Sequence, residues 1–166
     1  MVCVAGVGRT RIARRKLKPE HKDLFFKLLP NDQLGILLFL EARGEPVEGQ
    51  IAVGCVVRKR VKAKKENTYF QIITAKDQFS CFNSNDPNYD KGMSMVKDLV
   101  AGKAPEDLTG LLQQCRWIAQ GIVNGALLDN TKGANHYYNP KVCNPSWAEK
   151  MIITRKIGKH IFLKGN

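Results

Sequence analysis

No stretch of this 166-residue chain approaches the roughly 18 to 20 uninterrupted apolar residues that a membrane-spanning helix needs. The order of a signal peptide is missing too. In MVCVAGVGRTRIARRKLK the few apolar residues precede the basic ones instead of following them. Synthesis in the cytoplasm is expected, with any export by another route. Cysteine is sparse and badly placed for pairing. The five (Cys3, Cys55, Cys81, Cys115, Cys143) are odd in number and form no C-x-x-C pair. Neither a zinc site nor a disulfide framework is indicated, and reduced thiols are expected, with Cys55 and Cys115 buried as small hydrophobes. No metal or cofactor is expected. Acidic residues are also few, 15 against 27 basic ones, for a formal charge of +12. The excess sits in two clusters, Arg9, Arg11, Arg14, Arg15, Lys16, Lys18 and Lys22, then Arg58, Lys59, Arg60, Lys62, Lys64 and Lys65. Such charge asks for a polyanionic partner without choosing among nucleic acid, anionic lipid and an acidic polymer. A basic nucleic-acid-binding protein without enzymatic activity is the alternative reading. Against it, no recognised nucleic-acid motif is present and the aromatics do not interleave with the basic runs.

What is present is an ordinary globular composition, 43% hydrophobic and 25% charged. The length suits one domain with a proper core. Residues 1 to about 22 read as a basic arm with little to bury. Lys22 to Leu29 form a short helix ending at Pro30. Asn31 or Asp32 then supplies the N-cap of a helix from Gln33 to about Arg43. Leu34, Ile36, Leu37, Leu38, Phe39 and Leu40 cover nearly every direction around it, so it belongs in the middle of the fold. Pro46 opens the next helix, about 46 to 62, whose Ala52 and Gly54 allow close helix contact. From Asn67 to Gly92 the chain reads as irregular, with NSNDPNYDKG a strong loop signal. A short helix near 93 to 101 follows, then a longer one from about Pro105. Its apolar positions, Leu108 through Leu127, recur at spacings of three and four. The C-terminal MIITRKIGKHIFLK suggests one or two short strands. The expected class is α+β, mainly helical, with a small β element.

One carboxylate is out of place in this pattern. Glu41 ends the most apolar run, and counting back three, four and seven residues gives Leu38, Leu37 and Leu34. It shares their face and points inward or into a cleft wall. Desolvation and the negative end of the helix dipole both disfavour its anion. A glutamic acid kept protonated near neutrality suits general acid catalysis, such as protonating the leaving oxygen in glycoside cleavage. The structural alternatives are an exposed helix-end residue or an ion-pair partner of Arg43 or a distant lysine. No second group is evident. Glu45 lies beyond Gly44 and serves equally as a helix cap, and Asp77, Asp86 and Asp90 stand on irregular chain.

The blocks EARGEPVEGQIAVGCVVRKRV, QFSCFN, GANHYYNP and PSWAEKMIITRKIGKHIF, in that order, resemble the SleB-type cell-wall hydrolases, which include spore-cortex-lytic enzymes and phage endolysins. The resemblance covers about residues 33 to 164. It implies a lysozyme-like, lytic-transglycosylase-like single domain at 31–166, preceded by the basic arm and lead-in helix of 1–30. It implies cleavage of the β-1,4 bond between N-acetylmuramic acid and N-acetylglucosamine in peptidoglycan, with Glu41 as catalytic acid/base and no second carboxylate. Glycan-binding chemistry is offered by Glu45, Gln50, Gln78, Phe79, Ser80, His136, Tyr137, Tyr138, Asn139 and Trp147. Strand alternation sends only one of the two tyrosines into the cleft. Two departures stand out: Arg58-Lys59 where the family often has Leu-Asn, and Cys81 where a tryptophan is common. The partner is then peptidoglycan glycan strands, with residues 9–22 held electrostatically to an anionic envelope, no nucleic acid, and a monomer expected. A phage endolysin released to the wall by a holin fits this reading of the chain.

Overall fold

A computed structural model describes residues 17–75, 78–105 and 110–165. Its organising element is α2, Pro30–Ala42. Leu34, Ile36, Leu37 and Leu38 are fully buried, and Phe39 and Leu40 nearly so. A helix apolar on every side has no face to offer water, so the other helices pack around it. It starts earlier than the capping residues suggested. Neither Asn31 nor Asp32 is the N-cap; Leu29 is, with Pro30 in the first turn. Proline presets φ there and lacks only an N–H that would be unpaired anyway. Asp32 instead pairs with Arg116 Nε at 2.8 Å, tying α2 to a later helix.

That later helix, α6 at Leu111–Val123, buries Leu112, Cys115, Ile118, Ala119 and Ile122, the predicted stripe. It begins after Gly110, whose φ of +70° breaks the helix. Residues 106–109, expected in its first turn, lie outside the described residues. α3, Val47–Lys62, packs on α2 and α6 through Gly54, where a Cβ would collide with Ile122 Cδ1. The lead-in helix α1, Pro19–Phe26, again starts at a proline. It is anchored to the core by Phe25, fully buried and 5.1 Å from the Phe82 ring.

The stretch read as irregular holds more structure than expected. Thr68 and Gln71 form a reciprocal capping box that starts α4, Tyr69–Thr74, a T-x-x-Q signal present in the sequence. A 3₁₀ turn follows at Ser80–Phe82, and α5 runs Tyr89–Val100. The sheet has three antiparallel strands in the order β1-β3-β2: β1 His136–Tyr138, β2 Ile152–Ile157 and β3 His160–Lys164. Tyr137 stands opposite Phe162. Gly158, at φ +57°, turns the β2–β3 hairpin. The class is the mainly helical α+β one expected. Cys55, Cys81 and Cys115 are buried. Cys143 is disulfide-bonded, contrary to the expectation of reduced thiols, which rested on the absence of any C-x-x-C pair.

Candidate active site

Glu41 is the penultimate residue of α2, half-buried rather than sealed. The segment after α4 wraps over it. The Cys81 N–H donates to Glu41 Oε1 at a long 3.5 Å, and the Cys81 thiol hydrogen-bonds the same carboxyl group. Glu41 titrates above the usual carboxylate range. Burial is the main cause, the charge of Asp86 adds to it, and the two Cys81 hydrogen bonds oppose it without prevailing. The carboxyl group therefore keeps its proton to higher pH than a free glutamic acid.

Arg43, two residues on, organises the chain around that group. Its Nη1 donates to the Phe39 and Leu40 carbonyls at 3.2 and 3.4 Å, and its Nη2 donates to Asn88 Oδ1 at 2.9 Å. The Asn88 N–H in turn donates to Asp86 Oδ1 at 2.9 Å. One guanidinium thus closes the C-terminal end of α2 and fixes the loop that carries Asp86. Of the two described aspartates left open by the sequence, Asp86 is the one whose charge reaches Glu41. Asp90 is exposed on α5, and Asp77 lies outside the described residues.

β1 brings the sheet into electrostatic reach of the Glu41 carboxyl group. Tyr137 is 1% exposed, and its hydroxyl is buried without a hydrogen-bond partner. Burial raises its pKa strongly, with the Glu41 charge acting in the same sense and Arg60 against it, so this hydroxyl lies within electrostatic reach of both. Alternation turns His136 and Tyr138 the other way, where Trp147 meets both rings, at centroid distances of 5.4 and 6.0 Å. Gln78 and His136 line a cavity of about 580 Å³ together with Asn135 and the end of α3. Gln78 Oε1 accepts from Arg60 Nη1 at 2.9 Å. Phe79 is buried under the Arg60 guanidinium, 5.9 Å from its ring centroid. Ser80 begins the 3₁₀ turn next to Cys81.

Three other candidates are committed to the frame. Glu45 Oε2 accepts from the Lys159 N–H at 2.8 Å and lies 3.5 Å from His160 Nδ1, which fastens the β2–β3 turn to the start of α3. His160 packs edge-on to Tyr137 at 5.1 Å. Gln50, 1% exposed, donates to the Glu45 carbonyl and accepts from Gln114 Nε2, each at 3.1 Å. Asn139 shapes the turn after β1, its side chain accepting from the Lys141 N–H at 3.0 Å. Sequence reasoning did not single out Cys81, Arg60 or Asn135 as site residues. Arg60 was submerged in a basic run, although its Nε donates to the Asn135 carbonyl at 2.8 Å. Among the described residues no cluster of three His, Cys, Asp or Glu is placed to hold a metal.

A family model described as cell wall hydrolase matches residues 44–163. The matched span opens just beyond Glu41, so it covers the surrounding fold and not the carboxylate. The spore cortex-lytic enzyme of Bacillus cereus is 31% identical over 125 residues, 75% of this chain and 40% of that protein. The spore cortex-lytic enzyme of Oceanobacillus iheyensis is 30% identical over 129 residues, 75% of this chain and 37% of that protein. The chain thus spans about two fifths of the length of these relatives. Among solved structures, the catalytic domain of the germination-specific lytic transglycosylase SleB from Bacillus anthracis matches with a TM-score of 0.60 at 26% identity. That match covers 81% of this chain and 93% of the other. The catalytic domain of the Bacillus cereus SleB protein matches at 0.57 and 25%, over 96% and 100%. The fold is the lysozyme-like one these catalytic domains share.

Proposed function

The chain belongs to the SleB-type cell wall hydrolase family, and from that premise we propose that it is a lytic transglycosylase cutting the β-1,4 bond between N-acetylmuramic acid and N-acetylglucosamine, with Glu41 as its acid/base. The observation that carries this reading is a carboxyl group at the end of the central helix whose pKa is raised by burial. A general acid works best when its pKa lies near the working pH. The raised value moves Glu41 in that direction.

In the proposed reaction the Glu41 proton passes to the glycosidic oxygen as the bond to muramyl C1 breaks. N-Acetylglucosamine leaves with a free hydroxyl. The Glu41 carboxylate, steadied by the Cys81 N–H, then takes the proton from the muramyl C6 hydroxyl while O6 closes on C1. The product is a 1,6-anhydro ring, and Glu41 regains its proton. One residue suffices, which agrees with Glu45 being occupied by the Lys159 N–H. Gln78, Ser80, His136, Tyr138 and Trp147 are assigned to the glycan-binding wall. Phe79 and Tyr137 shape it from behind, and Glu45, Gln50 and Asn139 hold its frame. Lysis from inside a host cell, as an endolysin released to the wall, is part of the proposal. Expression without a membrane-permeabilising partner should leave cells intact.

The direct test is Glu41→Gln assayed on purified sacculi. The variant is expected to fold and to lose lysis by about 10²-fold or more, the usual contribution of a general acid. Substantial lysis by the folded variant removes Glu41 from this role.

A further inference from the structure

The cavity beside the proposed site has a chemistry that the cleavage reaction does not use. Lys59, Arg60 and Lys62 line it, with Gln78, Asn135 and His136, and no carboxylate does so among the described residues. Cations in the last turn of a helix complement its dipole, which accounts for basic residues at the end of α3. It does not account for Arg60 being drawn inward. That guanidinium spends Nε on the Asn135 carbonyl and Nη1 on Gln78 Oε1, while Nη2 is buried with no hydrogen-bond partner. Because Arg60 occupies the Gln78 carbonyl, the Gln78 amide nitrogen is left as a donor. His136 is lowered to about 4 chiefly by burial, with the Arg60 charge the smallest of the causes. A buried donor without an acceptor is costly, and the exposed Lys59 and Lys62 add cations to the same lining. Together they are the usual construction where a carboxylate or phosphate is received.

The cavity is close to the chemistry. Gln78 lines it, and Cys81, three residues on, donates to Glu41. The chain between them spans at most about 11 Å. Resting on the peptidoglycan reading above, we propose that this cavity is an anion subsite for a carboxylate carried by the peptide-bearing muramic acid, seated while Glu41 cuts the neighbouring bond. The stem peptide supplies that chemistry; the lactyl carboxyl is bound as the amide to the stem and becomes a carboxylate only when the stem is removed.

The test compares initial rates on three preparations of one sacculus stock: untreated, amidated with carbodiimide and ammonia so that carboxylates become neutral amides, and stripped of stem peptides by an amidase. Amidation is expected to raise the apparent KM about fivefold, the scale of two exposed charge pairs. The Lys59→Gln/Lys62→Gln variant is expected to lose that difference, treating untreated and amidated walls alike. Lys97→Gln/Lys103→Gln, with the same net charge but both changes outside the cavity lining, is expected to keep it. Stripping frees the lactyl carboxylate, so stripped walls behaving like amidated ones assign the stem carboxylates alone, and stripped walls behaving like untreated ones extend the subsite to the freed lactyl carboxylate. Equal wild-type rates on untreated and amidated walls, or equal loss of discrimination in both double variants, overturn the subsite and leave the cleavage reading standing. A wild type that cuts none of the three preparations overturns both.

Discussion

Replacing Glu41 by glutamine removes a titration that the folded state resists. In the unfolded chain Glu41 loses its proton near the ordinary glutamate value of 4.5, whereas in the fold burial holds the proton on to higher pH. Between those two values the folded state binds more protons than the unfolded one, so stability falls as pH rises. The slope from one group is at most about 1.4 kcal/mol per pH unit. For a protein of this size each kcal/mol corresponds to roughly 2–4 °C in melting temperature. Glutamine keeps the shape and an oxygen for the Cys81 N–H, and it never ionises. The variant should therefore match the wild type in acid and exceed it increasingly toward neutrality, levelling off once Glu41 is fully ionised. Denaturant melts of both proteins across that range, at fixed ionic strength, read the difference directly, since other titrating groups are common to the two. Parallel stability curves, or a difference that widens toward acid, would refute the claim that the fold strains this carboxylate.

Cys81→Ala removes the thiol hydrogen bond that favours the Glu41 anion. The alkaline limb of the rate–pH profile should move to higher pH, and a shift to lower pH would contradict the assignment. Gly54→Ala pushes a methyl group into Ile122 at the α3–α6 contact, and overpacking there should cost about 1–3 kcal/mol in chemical denaturation. Glu45→Ala orphans the Lys159 N–H and leaves His160 without its carboxylate. A loss of about 1–3 kcal/mol is expected, with faster amide exchange at the β2–β3 turn.

The features that were legible in the sequence are those with local causes. Seven apolar or small residues in a row, Leu34–Leu40, leave a helix no polar side, so its central position followed from pattern alone. The place of Glu41 followed from counting turns back to Leu34. Proline decided the helix starts at α1 and α2 against the preferred side-chain caps. The Thr68–Gln71 capping box was readable but obscured by the loop signals around it. What could not be read is convergence. Cys81 and Asp86 reach Glu41 across 40 and 45 positions of chain, and Arg60 reaches Gln78 and Asn135 across 18 and 75. No periodicity encodes such meetings. Glu45 and Gln50 look like site residues in sequence because they are polar and adjoin Glu41. Their partners, at Lys159 and Gln114, show how two polar side chains brace a site from beneath.

Mass spectrometry of wall digests tests the central claim most directly. Wild-type protein should release muramyl fragments with 1,6-anhydro ends, lighter by one water than their hydrated counterparts, and folded Glu41→Gln should release none. Reducing muramyl ends from the wild type would mean that water, not the C6 hydroxyl, attacks. The same anhydro fragments from Glu41→Gln would contradict the account at its base.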